Sequence, residues 1–385
     1  MVAVDHICVF FASAVSCEAI SGSSGSSACK YCKSFEFFRV IVAVLLSYVI
    51  TLCILVLISD MPLEIIKNFL LGPFSSLARI GDMISLAIPL MLTGLCMCFM
   101  YSINKFNLSA EGIFIFSGCM TAYVAILLKD AGLPAWCMIV ILLLVGIVSG
   151  GLISAIPAYI DNRFKADVVV TSLMLNYVLL YFTQYILKYV IKDRTLSIPA
   201  SVKLPAAASF QVILPGTTVH SGLFITLVAV GIAVFIFYKT KFGFTMRCIG
   251  SNPTFSQYTG ISVNAGIVLT QIVGGMFAGL GGTVEILGRY KRFQWTALTN
   301  HGFDGLMVAV LAHKKPELVP VAALLLAYIR TGADVVNRTS DIPPEFVSII
   351  QGIIILLIAA EMFMSKYKNK IIFRLAKKSI GEGDA

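Results

Sequence analysis

The sequence predicts an all-α polytopic membrane protein, and three observations carry that class. Hydrophobic residues make up 58% of the 385 residues and charged residues 13%, and mean hydropathy is +0.91, far from the balance of a soluble domain. The apolar residues fall in runs of roughly 20, the length a helix needs to cross a hydrocarbon core, rather than in the alternating segments of about ten that build a barrel. The chain has room for about ten such spans, with short broken or re-entrant helices among them.

Taken in order, residues 1–35, with the Ser/Gly-rich stretch SGSSGSS, read as a disordered cytoplasmic tail. The apolar stretch 7–15 is preceded by Asp5 and by no Lys or Arg, unlike a secretory signal. Residues 36–365 form the transmembrane domain, with spans near 37–59, 80–101, 113–128, 135–157, 169–190, 222–238, 264–288, 303–313, 317–333 and 346–364. Residues 366–385 form a basic cytoplasmic tail.

With the N-terminus inside, Lys105, Arg163, Lys165, Lys239, Lys241, Arg247, Lys314 and Lys315 fall on the cytoplasmic side, as the positive-inside rule favours; Arg289, Lys291 and Arg292 oppose it. The net charge of +9 therefore serves orientation in the membrane and does not imply nucleic acid. On this topology loop 191–221, with Pro199, Pro205 and Pro215, is external and could dock a partner. Loop 239–263 is cytoplasmic.

That cytoplasmic loop contains RCIGSNPTFSQYTGIS, residues 247–262, punctuated like a helix of a soluble protein. Asn252 can cap it, Pro253 suits its first position and Gly260 can close it after about two turns.

The runs 113–128 and especially 303–313 are short for a core about 30 Å thick. Both follow one pattern: Asn107, three residues, Glu111-Gly112-Ile113, and Asn300, three residues, Asp304-Gly305-Leu306. The first starts from inside and the second from outside, as an inverted repeat requires. Small residues at Gly146, Gly150, Gly151 and at Gly274, Gly275, Gly279, Gly281, Gly282 signal close helix packing.

Catalysis has no visible residues. No phosphate loop GxxxxGK[ST] occurs, and the four histidines lack HExxH spacing. Most cysteines lie in apolar runs, and Cys29-Lys-Tyr-Cys32 is a lone pair, so neither a disulfide framework, a metal site nor a cofactor is expected. Polar residues at membrane depth are the candidates for a solute path, because burying them is costly. They are Asn107, Glu111, Asn176, Glu285, Phe303 beside Asp304, and Gln351. For Glu111 and Asp304 a first-turn carboxylate suiting a helix dipole is the competing reading. A proton-coupled carrier acting alone is a further class, though no chain of acids supports it.

The stretches KFNLSAEG at 105–112, ADVVVTSLMLNYVLLY at 166–181, RCIGSNPTFSQYTGI at 247–261, GGMFAGLGGTVEILG at 274–288, GFDGLMVAVLA at 302–312 and IQGIIILLIAA at 350–360 resemble the membrane permeases of bacterial ABC importers for simple sugars, nucleosides and related solutes. The likeness is strongest to the larger permease of nucleoside-type systems. It implies a second permease subunit as heterodimer partner, an ABC ATPase and a substrate-binding lipoprotein, in the bacterial inner membrane. It implies that Gly250, Ser251, Asn252, Pro253, Phe255, Tyr258 and Gly260 couple the ATPase to the spans. Ser109-Ala110 and Ile113 depart from the family's usual Gly-Ala or Gly-Val before Glu-Gly and Gln after it, which leaves riboflavin and sugars open beside nucleosides.

Overall fold

The computed structural model describes residues 62–339, and these are helical, with two isolated β-bridges but no strand. The expected spans 37–59 and 346–364, both tails and Gln351 lie outside the described residues. In chain order the α-helices are α1 Pro62–Leu71, α2 Leu77–Ser102, α3 Ala110–Leu127, α4 Ala135–Phe164, α5 Val168–Tyr189, α6 Gly222–Lys239, α7 Lys241–Ser251, α8 Pro253–Tyr258, α9 Val263–Arg289, α10 His301–Leu311 and α11 Val319–Thr339. Seven candidate spans, α2 to α6, α9 and α11 with its preceding turn, are long and apolar enough to cross a membrane; α10 is apolar but short. All eight positions match apolar runs expected in this part of the chain.

Local chemistry starts these helices where they start. The side chains of Ser76, Asp167, Thr240 and Asn252 each accept a hydrogen bond from a free first-turn N–H, of Arg79, Val169, Gly243 and Phe255. Lys165 ends α4 in the left-handed conformation. Two expectations are corrected. The first of the two short runs, 113–128, begins three residues earlier as α3, whose 18 residues reach about 27 Å and meet the length of a span, so it is not a broken helix. The loop 239–263 holds two helices, α7 and α8, because the Thr240 cap starts one directly after α6.

The helices sort into inner and outer. The apolar windows of α2 and α9 are 83% and 72% buried, whereas those of α4, α5 and α6 are each 28% buried. α9 is held against α4 by small residues. A methyl added at Gly150 would lie 2.3 Å from the Gly275 carbonyl oxygen, and one added at Gly279 would lie 2.1 Å from that of Gly146. The two backbones touch directly, as expected of GxxxG spacing within a membrane. A buried hydrogen bond lies along the same seam, the Ser154 hydroxyl donating to the Gln271 carbonyl at 2.5 Å, and the Thr121 and Thr283 hydroxyls share one at 2.8 Å between α3 and α9.

The two ends of the bundle differ. One carries α7 and α8. At the other, residues 190–221 are laid against 287–293 by backbone bonds: Ser201 N–H to Phe293 O, Leu204 N–H to Lys291 O and Phe210 N–H to Leu287 O, at 2.9, 3.0 and 2.9 Å. Arg292 adds an ion pair to Asp193 at 2.5 Å and a bond to the Ser201 carbonyl. Hydrogen bonds from Thr195 and then Arg292 hold the Asp193 carboxyl down at about 2. His220, wholly buried beside Gly222 and Gly288, is pushed down to about 4 by burial and by the Arg289 charge.

Candidate functional site: two helices joined at their starts

The site grows from the turn before α3. After α2 ends, residues 103–109 fold back into the bundle. Their polar groups need partners there, because no water serves them. Asn107 is fully buried; its amide donates to Gln271 Oε1 at 2.8 Å and its carbonyl oxygen accepts from Ser109 N–H at 2.9 Å. Ser172 Oγ accepts from Leu108 N–H. Asn176 then closes the start of α3 from both sides, its Oδ1 accepting from Gly112 N–H and its Nδ2 donating to the Leu108 carbonyl, each at 2.9 Å. Asn176 on α5 thus supplies the cap that Ser109, the residue at the N-cap position, does not make.

α3 in turn supplies the cap of α10. The Glu111 carboxylate accepts from the Thr299 hydroxyl at 2.9 Å, Asn300 N–H at 2.7 Å and Gly302 N–H at 2.6 Å. Gly302 has to be small, since a methyl there would sit 2.3 Å from the Glu111 nitrogen. Asn300 turns the chain in the left-handed region at φ 63°, a conformation asparagine tolerates better than most residues. A carboxylate facing the free N–H groups of a helix start, inside a protein at membrane depth, is the favourable dipole arrangement. Asp304, one turn on, forms an ion pair with Arg330 of α11 at 2.5 Å. Three links therefore join four helices: α5 caps α3, α3 caps α10, and α10 pairs with α11.

The two similar segments thus meet at this clasp. From it α10 runs to the end bearing α8, where Lys314 just beyond it bonds Asn104 just beyond α2. α3 runs the opposite way, toward a cavity of about 420 Å³ edged by Lys129, Lys203 and Lys291. α10, at 11 residues, covers about 16 Å, half a hydrocarbon core.

The remaining path candidates stand apart from the clasp. Glu285 is fully buried, its carboxylate oxygens have no hydrogen-bond partner, and Arg289 is 3.8 Å away. Phe303 is half-buried on α10. Thr299, Arg330 and Gln271 complete the clasp without being singled out in the sequence. Arg330, a charge, and Gln271, an amide, each carried a signal as polar residues inside apolar runs.

The second cluster of candidates, at the α8 end, is compact. Asn252 caps α8, Pro253 is its first residue, and Gly260 follows it at φ +83°. Ile261 N–H bonds the Ser256 carbonyl and Gly260 N–H that of Gln257, the paired closure that fixes a helix end. Phe255 and Tyr258 are 60% and 88% exposed. Ser251 Oγ donates to the Cys248 carbonyl. Gly250 lies on the end of α2, where a methyl would fall 1.8 Å from the Ser102 carbonyl oxygen. Its own carbonyl accepts from Asn104 Nδ2 at 2.7 Å, and Asn104 Oδ1 accepts from Lys314 Nζ at 3.2 Å. Arg247 donates to the Phe237 carbonyl and lies over the Tyr238 ring, tying α7 to α6. Asn104, Lys314 and Arg247 are therefore the residues that connect α7 and α8 to the spans.

The chain matches the family model described as "Branched-chain amino acid transport system / permease component" over residues 79–359. It is 32% identical over 307 residues to the guanosine ABC transporter permease protein NupP of Bacillus subtilis, covering 78% of this chain and 87% of that one. It is 29% identical over 336 residues to the nucleoside ABC transporter permease protein NupB of Lactococcus lactis, with coverages of 84% and 91%. It is 28% identical over 297 residues to the glucose ABC transporter permease protein TsgB13 of Haloferax volcanii, with coverages of 74% and 77%. No solved structure matches it. Buried polar clasp, capped surface helix and family match converge: this chain belongs to the branched-chain-type ABC permease family, as a multi-pass, non-catalytic subunit of the bacterial membrane that works with an ATPase and a solute-binding protein.

Proposed function

We propose that this subunit forms the path by which nucleosides enter the cell, as one half of a permease heterodimer of about ten spans per subunit built on an inverted repeat. For the solute, the observation that carries the reading is the likeness over most of the chain to permeases named for guanosine and for nucleosides. The heterodimer draws support from a second Bacillus subtilis relative, the guanosine permease protein NupQ, 28% identical over 256 residues, so that one organism holds two such relatives. Direct binding of guanosine, uridine, riboflavin and glucose to the partner lipoprotein tests the solute. Nucleoside binding is expected; binding of glucose alone would replace the reading with the sugar alternative, which the likeness to TsgB13 supports. No relative named above is a riboflavin carrier.

α8 faces the cytoplasm on this reading and seats in the ATPase, with Phe255 and Tyr258 as its apolar contacts. Stiffness is what such a peg needs, and its double closure and fixed first residue supply it. The Gly250–Asn104–Lys314 joint supports transmission, because it ties the peg to the ends of α2 and α10 at one point. Deletion of residues 253–259 should abolish ATPase association or uptake while membrane insertion is retained. Asn107, Glu111, Asn176 and Asp304 hold the starts of α3 and α10 in place for the path, and Glu285 and Phe303 remain candidates for its lining.

A further inference from the structure

The outer helices α4, α5 and α6 are equally uncovered, yet their uncovered faces differ in chemistry. α4 shows Val140, Leu144, Val148 and Leu152, and α6 shows Phe224, Val228, Ile232 and Phe235, faces that suit lipid tails. α5 shows Val170, Met174, Val178 and Phe182, but beside them also Tyr177, Tyr181, Tyr185 and Tyr189, which are 52, 66, 57 and 75% exposed. Spacing by four places them along one side of the helix. α5 also has the lowest mean hydropathy of the seven candidate spans, 1.3 against 2.7 for α4 and 2.2 for α6.

Tyr189, at the helix end, fits the membrane interface where tyrosine is common. Tyr177 and Tyr181 do not. They lie about 14 and 20 Å along a helix of about 33 Å, a depth at which a lipid-facing hydroxyl finds no partner. Asn176, whose side chain caps α3, lies at the same height but is turned about 100° from Tyr177 and is buried, so α5 joins the clasp by one side and bares the tyrosines on another.

We propose that the tyrosine face of α5 lines the solute path and receives a planar heteroaromatic solute of the nucleobase kind. The rings stack on its face and the hydroxyls replace the water its edge loses. A lipid chain uses neither property. The choice of solute rests on the nucleoside reading, whereas the placement of the path does not.

The test uses the full complex in proteoliposomes, with Tyr177→Cys and Tyr181→Cys compared with Leu144→Cys on α4 and Ile232→Cys on α6, each measured against the parent chain. A water-soluble thiol reagent should label both tyrosine positions, guanosine should protect them, and the two controls should react only with a lipid-soluble reagent. Labelling of the tyrosine positions only by the lipid-soluble reagent, or by neither reagent, would overturn the proposal, since lipid or a partner helix then covers the face. Protection by glucose but not by guanosine would keep the path and sink the nucleoside reading. Independently, Tyr181→Leu should lower guanosine uptake about tenfold and Tyr181→Phe less, as expected if the ring carries most of the contact. Unchanged uptake in Tyr181→Leu would overturn the proposal as well.

Discussion

The two helices joined at the clasp, α3 and α10, solve one problem by different chemistry. α3 starts on a neutral amide: Asn176 gives one acceptor and one donor to backbone that a passing loop leaves bare. α10 starts on a charge: Glu111 takes three donors, and the helix carries its own acid, Asp304, paired with Arg330. The difference follows length. α3 is long enough to span and is buried over most of its window, so an amide suffices. α10 has half a span and few turns to hold it, and its start is secured by charge-assisted bonds, roughly twice as strong as neutral ones. The shorter helix is the one whose start has ionic fixings.

Breaking the ionic side should cost most. Arg330→Met leaves Asp304 without its partner at membrane depth and should lower stability by about 3 kcal/mol, read as a shift in thermal unfolding of the detergent-solubilised protein. The double variant Arg330→Met/Asp304→Leu should recover part of that loss, because the pair rather than either group matters; equal losses in both would show that the pair is not coupled. Glu111→Gln keeps the shape but turns an NH2 group toward the backbone donors of α10, and a loss of about 2 kcal/mol is expected with uptake impaired. On the neutral side Asn176→Ala should cost about 1 to 2 kcal/mol, with the start of α3 gaining amide exchange while α10 stays protected. Equal exchange at both starts would erase the contrast.

A pH-dependent effect lies away from both helices. His220 stays neutral in its buried site, its pKa pushed down to about 4 from the usual 6.5, so between about pH 4 and 6.5 the unfolded chain binds a proton that the folded chain does not. Stability should therefore decline as pH falls from about 6.5 toward 4 and flatten below, and His220→Gln should reduce that slope. Melting curves at pH 7.5 and 5 check it.

Much of the architecture is legible in the sequence because hydrocarbon selects for it: eight apolar runs coincide with helices among the described residues. The punctuation of α8 is equally readable, since Asn252, Pro253 and Gly260 act through their immediate neighbours. The paired Asn-to-Gly segments stand out as alike. That they touch does not, because Glu111 and Gly302 are 191 residues apart and nothing local links them. The role of Asn176 is hidden for the same reason: a lone amide in a span reads the same whether it faces a solute or another helix's backbone. α7 escapes because its polar residues look like loop until Thr240 is seen to cap it. The tyrosines of α5 recur every four residues in plain view, yet spacing alone cannot say which face of a helix its neighbours leave bare.

The contact of α4 with α9 has a mechanical meaning. With Gly146 and Gly150 set directly against Gly275 and Gly279, neither helix can slide past the other without steric collision. The pair behaves as one solid beam, so any rearrangement of the bundle must be shared out among the other joints. One extra carbon at Gly150 should jam or split that beam, while Leu144, two turns away on its outer side, should accept almost any aliphatic replacement.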